Sequence, residues 1–448
     1  MPLSLSGRSL LVALCLVLLG GCASSSLFVP YPARFAQVSQ QEEPAQALSQ
    51  LSAGLSGGDQ LLYAQESGRV AALAGDFAAS INFYQQAQRR YQQYDWKALV
   101  SLSDLGSQAL GATVSDNLIP YRGQAYERVL LHQQQSLNYL WQGQLDDALV
   151  EVRLANQAQQ LAQQAYGEAL HSNKALQSGR IDAELSALDK AAGQAPDSFI
   201  NPYVLFSNAA LYDAAGLSND ALVDLRQALQ LQPSNPVLQR EFVRLSCQLH
   251  IDCASAEQRF GPVMPMGVND GRVVLLHESG QVAAKQTFWL PFHWDSNYQQ
   301  IAMPYYYPRQ ALPPQQITLA QQSLPLARLV QFDALAARSL REQYPFLLAR
   351  QAIRVATKHN GNRWAQQAGG DLGGVAMQIF NVLTEQADRR SWLSLPQQAS
   401  GWSGALAAGQ YQLTVGSHSS TIKVAAGRTT IVWIADSGVW TQIQSQLL

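Results

Sequence analysis

Charge is what this chain has least of. Asp, Glu, Lys and Arg make up only 14% of its 448 residues and the formal net charge is −2, so nothing in the balance points to nucleic acid or an acidic surface as a partner. Glutamine, serine and alanine stand where charge would be, and such a surface selects partners by shape and local patches. Cysteine is equally scarce, with Cys15 and Cys22 near the N-terminus and Cys247 and Cys253 far from them. The last two lack the CxxC spacing of a redox couple or zinc half-site. Their separation suits a local disulfide in an oxidising compartment, tying the REFVRLSCQL helix to the loop behind it. A ring so short stabilises by about 2–3 kcal/mol at best.

Signatures of chemistry are missing too. The seven histidines, His132, His171, His250, His277, His293, His359 and His418, never fall at HExxH or another tight metal spacing. GxSxG is absent; the nearest string, Gly401-Trp402-Ser403-Gly404, lacks the final glycine at the right offset. Neither a P-loop nor GxGxxG occurs. The sequence therefore assigns no catalytic residue, metal or cofactor. Carboxylates of the C-terminal part acting as acid and base on cell-wall polymer remain the enzyme alternative.

Long apolar runs are absent after the first 22 residues, so no later segment is expected to span a bilayer. Those first residues are distinctive. Arg8 precedes the apolar run Leu10–Leu19, and Leu19-Gly20-Gly21-Cys22 closes it, which is the form of a bacterial lipobox. The reading is a signal peptide over 1–21 whose removal leaves Cys22 as a lipidated N-terminus. Ala23 in place of Asp favours the periplasmic face of the outer membrane. Residues 22–58, rich in Ser, Gln and Pro, read as a tether.

From 59 to 255 the period is helical. Asn201–Pro233 reads as two antiparallel helices, with small or aromatic residues where they touch (Ala209, Tyr212, Ala221, Leu225, Ala228), Gly216 at the break and Pro233 at the end. Partial copies surround Gly75 and Gly143, with Ser80 standing where the first copy should carry alanine. Asn235–Leu249 reads as a cap that turns a polar face outward. The first helices of such pairs line a groove, which nominates Asn138, Asn201, Tyr203 and Asn208 as contacts for a peptide. Tyr139 and Tyr212 occupy packing positions.

Residues 256–448 change period. Arg272–His277, a turn at Glu278-Ser279-Gly280 and Val282–Leu290 read as a β-hairpin, and Gln299–Pro314 as irregular or edge chain. Helices are expected at Asp333–Tyr344, Pro345–Lys358 and Asp371–Arg389. Strands are expected around Tyr411–Val415, Ile422–Val424 and Thr429–Ile434, giving a mixed α+β domain. Arg350, Arg354 and Lys358 share one helix face, and Glu385 and Asp388 sit upstream of Trp392. These read as an ion-pair network locking two helices, or else as a docking patch for peptidoglycan, lipid headgroups or a protein. The apolar helix behind Gly369-Gly370-Asp371-Leu372-Gly373-Gly374 reads as buried core.

Gly75, Gly143 and Gly216 stand about twice the roughly 34-residue tetratricopeptide period apart, as if a degraded repeat filled each gap. The helical pairs resemble tetratricopeptide repeats. Through Tyr126–Gln157, Arg350–Lys358 and Thr384–Pro396 the whole chain resembles an uncharacterised family of bacterial outer-membrane lipoproteins that join such repeats to a C-terminal α+β domain. The resemblance implies an envelope-associated repeat lipoprotein and no particular activity. The expected function is a lipid-anchored periplasmic adaptor whose repeats bind an envelope protein or peptide segment.

Overall fold

The computed structural model describes residues 29–100, 116–172, 182–193, 198–294, 297–344, 347–348, 351, 354 and 386–448. Helices fill the first part: α1 Tyr31–Ser39, α2 Pro44–Ser52, α3 Gln60–Leu73, α4 Phe77–Val100, α5 Ala125–Trp141, α6 Leu145–Ser172, α7 Asp182–Ala192, α8 Pro202–Ala214, α9 Ser218–Leu231, α10 Pro236–Gln248 and α11 Cys253–Phe260. A mixed sheet region follows from Asp270. Between the two, Cys247 and Cys253 are bonded to each other as expected, joining α10 to α11.

Three helix pairs, α3/α4, α5/α6 and α8/α9, turn in the same way. Gly75, Gly143 and Gly216 each adopt positive φ (79°, 73° and 80°). In each turn the residue after the glycine donates back to the carbonyl five residues earlier: Asp76 to Ala71, Gln144 to Tyr139, Leu217 to Tyr212. This satisfies carbonyls that a helix end leaves open, and it needs a left-handed residue that glycine adopts without penalty. A Cβ at Gly143 or Gly216 would meet nothing within 4 Å, so backbone conformation and not space selects glycine there. Helix starts are equally local in origin. Asn201 caps α8 by accepting the Tyr203 amide ahead of Pro202, and Gln124 and Glu127 form a reciprocal capping box on α5.

The stretch expected to be a tether holds α1 and α2. Tyr31, Phe35 and Val38, spaced i, i+4, i+7, are buried with Leu51 in the main core, and Pro32 and Pro44 lie in the first turns. Apolar residues so few and so spaced pass for tether composition, yet one narrow stripe suffices to dock a short helix. Nor does α10 turn a polar face to water as a cap would, since Arg240 and Glu241 reach the sheet at Ser403 and Arg272.

The principal sheet has the order β11-β10-β1-β7-β6, with β1 Asp270–Ser279, β6 Ala327–Gln331, β7 Gln398–Ala407, β10 Thr429–Asp436 and β11 Thr441–Leu447. Strand β1 is its centre, parallel to β10 and antiparallel to β7. The expected hairpin of β1 with the following strand is therefore wrong. Val273–Leu276 are buried on both faces, the mark of a central strand, and β2 Gln286–Trp294 pairs instead with β3 Asn297–Tyr305. That pairing makes the start of Gln299–Pro314, expected to be irregular or edge chain, an edge strand of a two-stranded sheet. A third sheet has the order β5-β4-β8-β9, from β4 Ile317–Leu319, β5 Gln322–Ser323, β8 Gly409–Val415 and β9 His418–Val424. The strands expected around 411–415, 422–424 and 429–434 are β8, β9 and β10. Helix 332–344 is present as expected, and residues 347, 348, 351 and 354 are helical as well. Of the expected helix Asp371–Arg389, residues 386–389 are non-helical; the rest, with the glycine-flanked segment, lies outside the described residues.

Layers follow from side-chain alternation. Val274, Leu276, Ile431 and Trp433 face the helices in one core that runs from Tyr31 to Trp440. Val273, Leu275, Val432 and Ile434 face the third sheet through Ile317, Leu413, Ile422 and Val424. The helical part and the sheet part thus share a continuous core.

Candidate functional site

Helices α3, α5 and α8 are the first members of the three pairs, and their inner face is where a bound peptide was expected. Nearly every residue of all three is buried. Their partner helices cover one side, and the chain's own C-terminal part covers the other.

Two segments fill the inner face. At the end of β1, Glu278 accepts from Arg69 of α3 at 2.5 Å, Gln134 of α5 at 2.8 Å and the Tyr203 hydroxyl of α8 at 2.7 Å. Arg69 also donates to Gln134 at 2.8 Å and lies 5.4 Å over the Trp433 ring. Burial, together with the adjacent Glu278, holds the Tyr203 phenol well above its ordinary pKa.

The second segment is Asp388–Ser394. Glu66 of α3 accepts the amides of Leu393 and Ser394 at 2.7 and 2.9 Å and the Tyr31 hydroxyl at 2.9 Å. Glu127 of α5 accepts the Trp392 amide at 3.0 Å, the Gln124 amide at 3.0 Å and the Tyr121 hydroxyl at 2.5 Å. Arg390 bonds Asp59 at 2.5 Å, Asp388 at 2.8 Å and the carbonyls of Ile119 and Asp116. Trp392, wholly buried, meets the Tyr84 ring edge-on at 5.8 Å. Burial pushes the Glu66 carboxyl up to about 7 against the pull of its donors, and pushes Glu127 up as well. Burial would also raise Asp388, but Arg390 outweighs it and holds that carboxyl below its ordinary value.

This is recognition chemistry, in which carboxylates bind successive main-chain amides and a guanidinium binds carbonyls. It is exercised on the protein's own chain. The four expected groove residues are accordingly not open. Asn138, Asn201, Tyr203 and Asn208 are 0–2% exposed. Asn138 donates to Ser80, tying α5 to α4; Tyr203 holds Glu278; Asn201 is a helix cap. Asn208 donates to Asn156 at 3.0 Å, and Asn156 in turn donates to Asp224. Of the four, Tyr203 meets the C-terminal part through Glu278, while Asn138, Asn201 and Asn208 are matched by polar groups of the helical part itself.

The charged patch is corrected in the same sense. Arg354 is 1% exposed and pairs with Asp116 at 2.8 Å, in the helical part, while Asp388 pairs with Arg390. A locking role, the first of the two readings, is what this geometry gives, with Asp116 of the helical part as a partner that the sequence did not name. Arg350, Lys358, Glu385 and Cys22 lie outside the described residues.

Glu66, Arg69, Glu127 and Glu278 were not legible as a site, whereas Arg390 belongs to the charged cluster just before Trp392 that the sequence shows. For α3 the available signal was charge inside a largely apolar helix, where Glu66 and Arg69 interrupt the run from Leu61 to Leu73. Among the described residues, potential metal ligands gather at Cys247, Cys253 and Glu257, where both sulfurs are committed to the disulfide. A small cleft of about 150 Å³ between α6 and α9 holds Asp220 and Asp224, and burial pushes Asp224 up to about 7. No protein-family model and no curated protein matches the chain.

Proposed function

We propose that the chain is a lipid-anchored periplasmic scaffold at the outer membrane, built on tetratricopeptide-like helix pairs, which engages another envelope protein through its outer surface. The lipobox around Cys22 supports the anchor, and the three identical glycine turns support the repeat reading. The observation that carries the outer-surface reading is the capture of Trp392–Ser394 by Glu66 and Glu127. A groove already filled by its own chain leaves outward positions for partners, such as Val150 and Val223 on the second helices and Met264 before the sheet.

The test is photo-crosslinking in cells from residues placed at 150, 223 and 264 of the full chain. An adduct with an envelope protein is expected, lost when Cys22→Ser removes the anchor. Adducts from position 138 alone, or with peptidoglycan fragments only, would return the function to the groove or to the wall.

The enzyme alternative was expected of carboxylates in the C-terminal part; a different pair, Asp224 with its burial-raised carboxyl and Asp220 in the same cleft, is the one that could act as acid and base. The cleft is small for a polymer substrate and lies in the helical part. Release of cell-wall fragments that Asp224→Asn abolishes would favour it.

A further inference from the structure

Among the described residues, the principal sheet is open along half of one strand. β7 pairs with β1 over its whole length, from Gln398 to Ala407, but with β6 only from Gln398 to Gly401. Beyond Gly401 no described strand lies on that second side. The direction of the main-chain groups follows from alternation. Ala408 donates to Asn269 on the β1 side, and the Ser403 carbonyl receives Arg240 from the opposite side at 3.3 Å. Odd-numbered residues therefore present both N–H and C=O to the open edge. At Ser403 and Ala407 the carbonyls are held by Arg240 and by the Tyr411 hydroxyl. Between them Ala405 is exposed, with its main-chain donor and acceptor turned outward.

Edges are ordinarily blunted by lysine, proline or a bulge. The sequence Ser403-Gly404-Ala405-Leu406-Ala407 has none of these. Along Ser403–Ala405 runs a cleft of about 340 Å³ whose far wall is Pro262, Val263, Met264 and Met266. Met264 and Val268 are 90% and 93% exposed, in a run from Gly261 to Asn269 that carries no charge. Methionine adapts to varied apolar partners. Charge in the cleft is unbalanced. Arg244 and Arg272 are paired with Asp213 and Glu241, whereas Arg240 bonds a carbonyl and, among the described residues, has no carboxylate.

We infer that this edge is a strand-addition site. It takes an extended segment of a partner polypeptide, about five residues long, that bonds Ala405 through its main chain, packs apolar side chains on Val263, Met264 and Met266, and sets a carboxylate against Arg240. The inference rests on the outer-surface reading proposed above and names the surface.

The probe is the blocked peptide Thr-Val-Glu-Val-Thr-Val, added to the full chain, with a version carrying Lys in place of Glu as its control. The expected result is saturable binding with Kd near or below about 1 mM, with slowed amide exchange at 403–407. Ala405→Pro, which removes a donor pointing away from β1, should weaken binding by at least about tenfold while leaving the unfolding midpoint in place. Arg240→Glu should lose the Glu peptide and gain the Lys peptide, which separates a lost contact from a lost fold. No exchange protection at 403–407, or equal binding by Ala405→Pro, would overturn the site. Concentration-dependent dimers of the protein that Ala405→Pro abolishes would overturn it too, by giving the edge to a second copy. If the probe fails while crosslinking from 150 or 223 captures a protein, the strand site falls and the scaffold reading stands; if the probe binds but none of positions 150, 223 and 264 captures an envelope protein in cells, the scaffold reading falls and the edge remains a peptide site.

Discussion

The carboxylate of Glu66 accepts the main-chain amide of Leu393 at 2.7 Å across 327 residues of chain. With the Ser394 amide and the Tyr31 hydroxyl also on Glu66, one side chain ties α1, α3 and the C-terminal segment together. Glu66→Ala would leave three buried donors without an acceptor and should cost about 3–5 kcal/mol, whereas Glu66→Gln keeps one accepting oxygen and should cost less, about 1–3 kcal/mol. Urea unfolding at pH 7 reads both; equal, small losses would mean the segment is held by packing alone.

Stability should fall as pH rises from about 4.5 to beyond 7. Glu66 and Asp224 are raised by burial from 4.5 and 3.8 to about 7, so their contribution is complete below the ordinary values and is lost as the pH passes the folded ones. Glu241 acts oppositely: burial alone would raise it, but Arg244 and Arg272 bring it down to about 2. Its contribution is present above 4.5 and lost as pH falls toward 2. A maximum near pH 4–5 is expected from these groups, and Asp224→Asn should flatten the slope between pH 5 and 8. Thermal midpoints measured across pH 3–8 decide it; a rise through pH 5–8 in the parent chain would refute the sign.

Arg69 and Glu278 form a buried pair at 2.5 Å between α3 and β1. Removing either partner strands a charge, so Arg69→Met and Glu278→Leu should each destabilise by about 3–5 kcal/mol, and the double variant by less than their sum. A double-mutant cycle with simple additivity would show that Gln134 and Tyr203, rather than Arg69, carry Glu278.

Charge reversal at Arg354 sets a second carboxylate against Asp116 in a buried site. A loss of about 3–5 kcal/mol is expected. An unchanged unfolding midpoint by circular dichroism would deny the lock and return Arg354 to the docking reading.

How far the sequence could be read depends on the range of the physics involved. The glycine turns were legible at Gly75, Gly143 and Gly216 because a left-handed residue is a local demand. Helix 332–344, strands β8 to β10 and the Cys247–Cys253 bridge were legible for the same reason, since their patterns span a few residues. Strand β1 was not. Its partners are Arg272 with Thr429 and Arg272 with Ala405, and nothing near residue 280 announces them. The helices α1 and α2 went unseen because a single apolar stripe looks like tether until something is known to lie beneath it.

The site divides along the same line. By itself the sequence determined where the helix pairs turn and where a local disulfide closes, and it put polar residues such as Asn138, Tyr203 and Asn208 on faces of the first helices, while Asn201, read with them, is a helix cap. Only the tertiary structure decided what those faces meet. A buried polar group must find a complement, but composition does not say whether the complement is a partner's chain or the protein's own. Here Glu278 answers Tyr203, Trp392–Ser394 answer Glu66 and Glu127, and Asn138 and Asn208 are answered within the helices; among the described residues, main-chain groups are left open instead at Ala405 on the outer edge of β7.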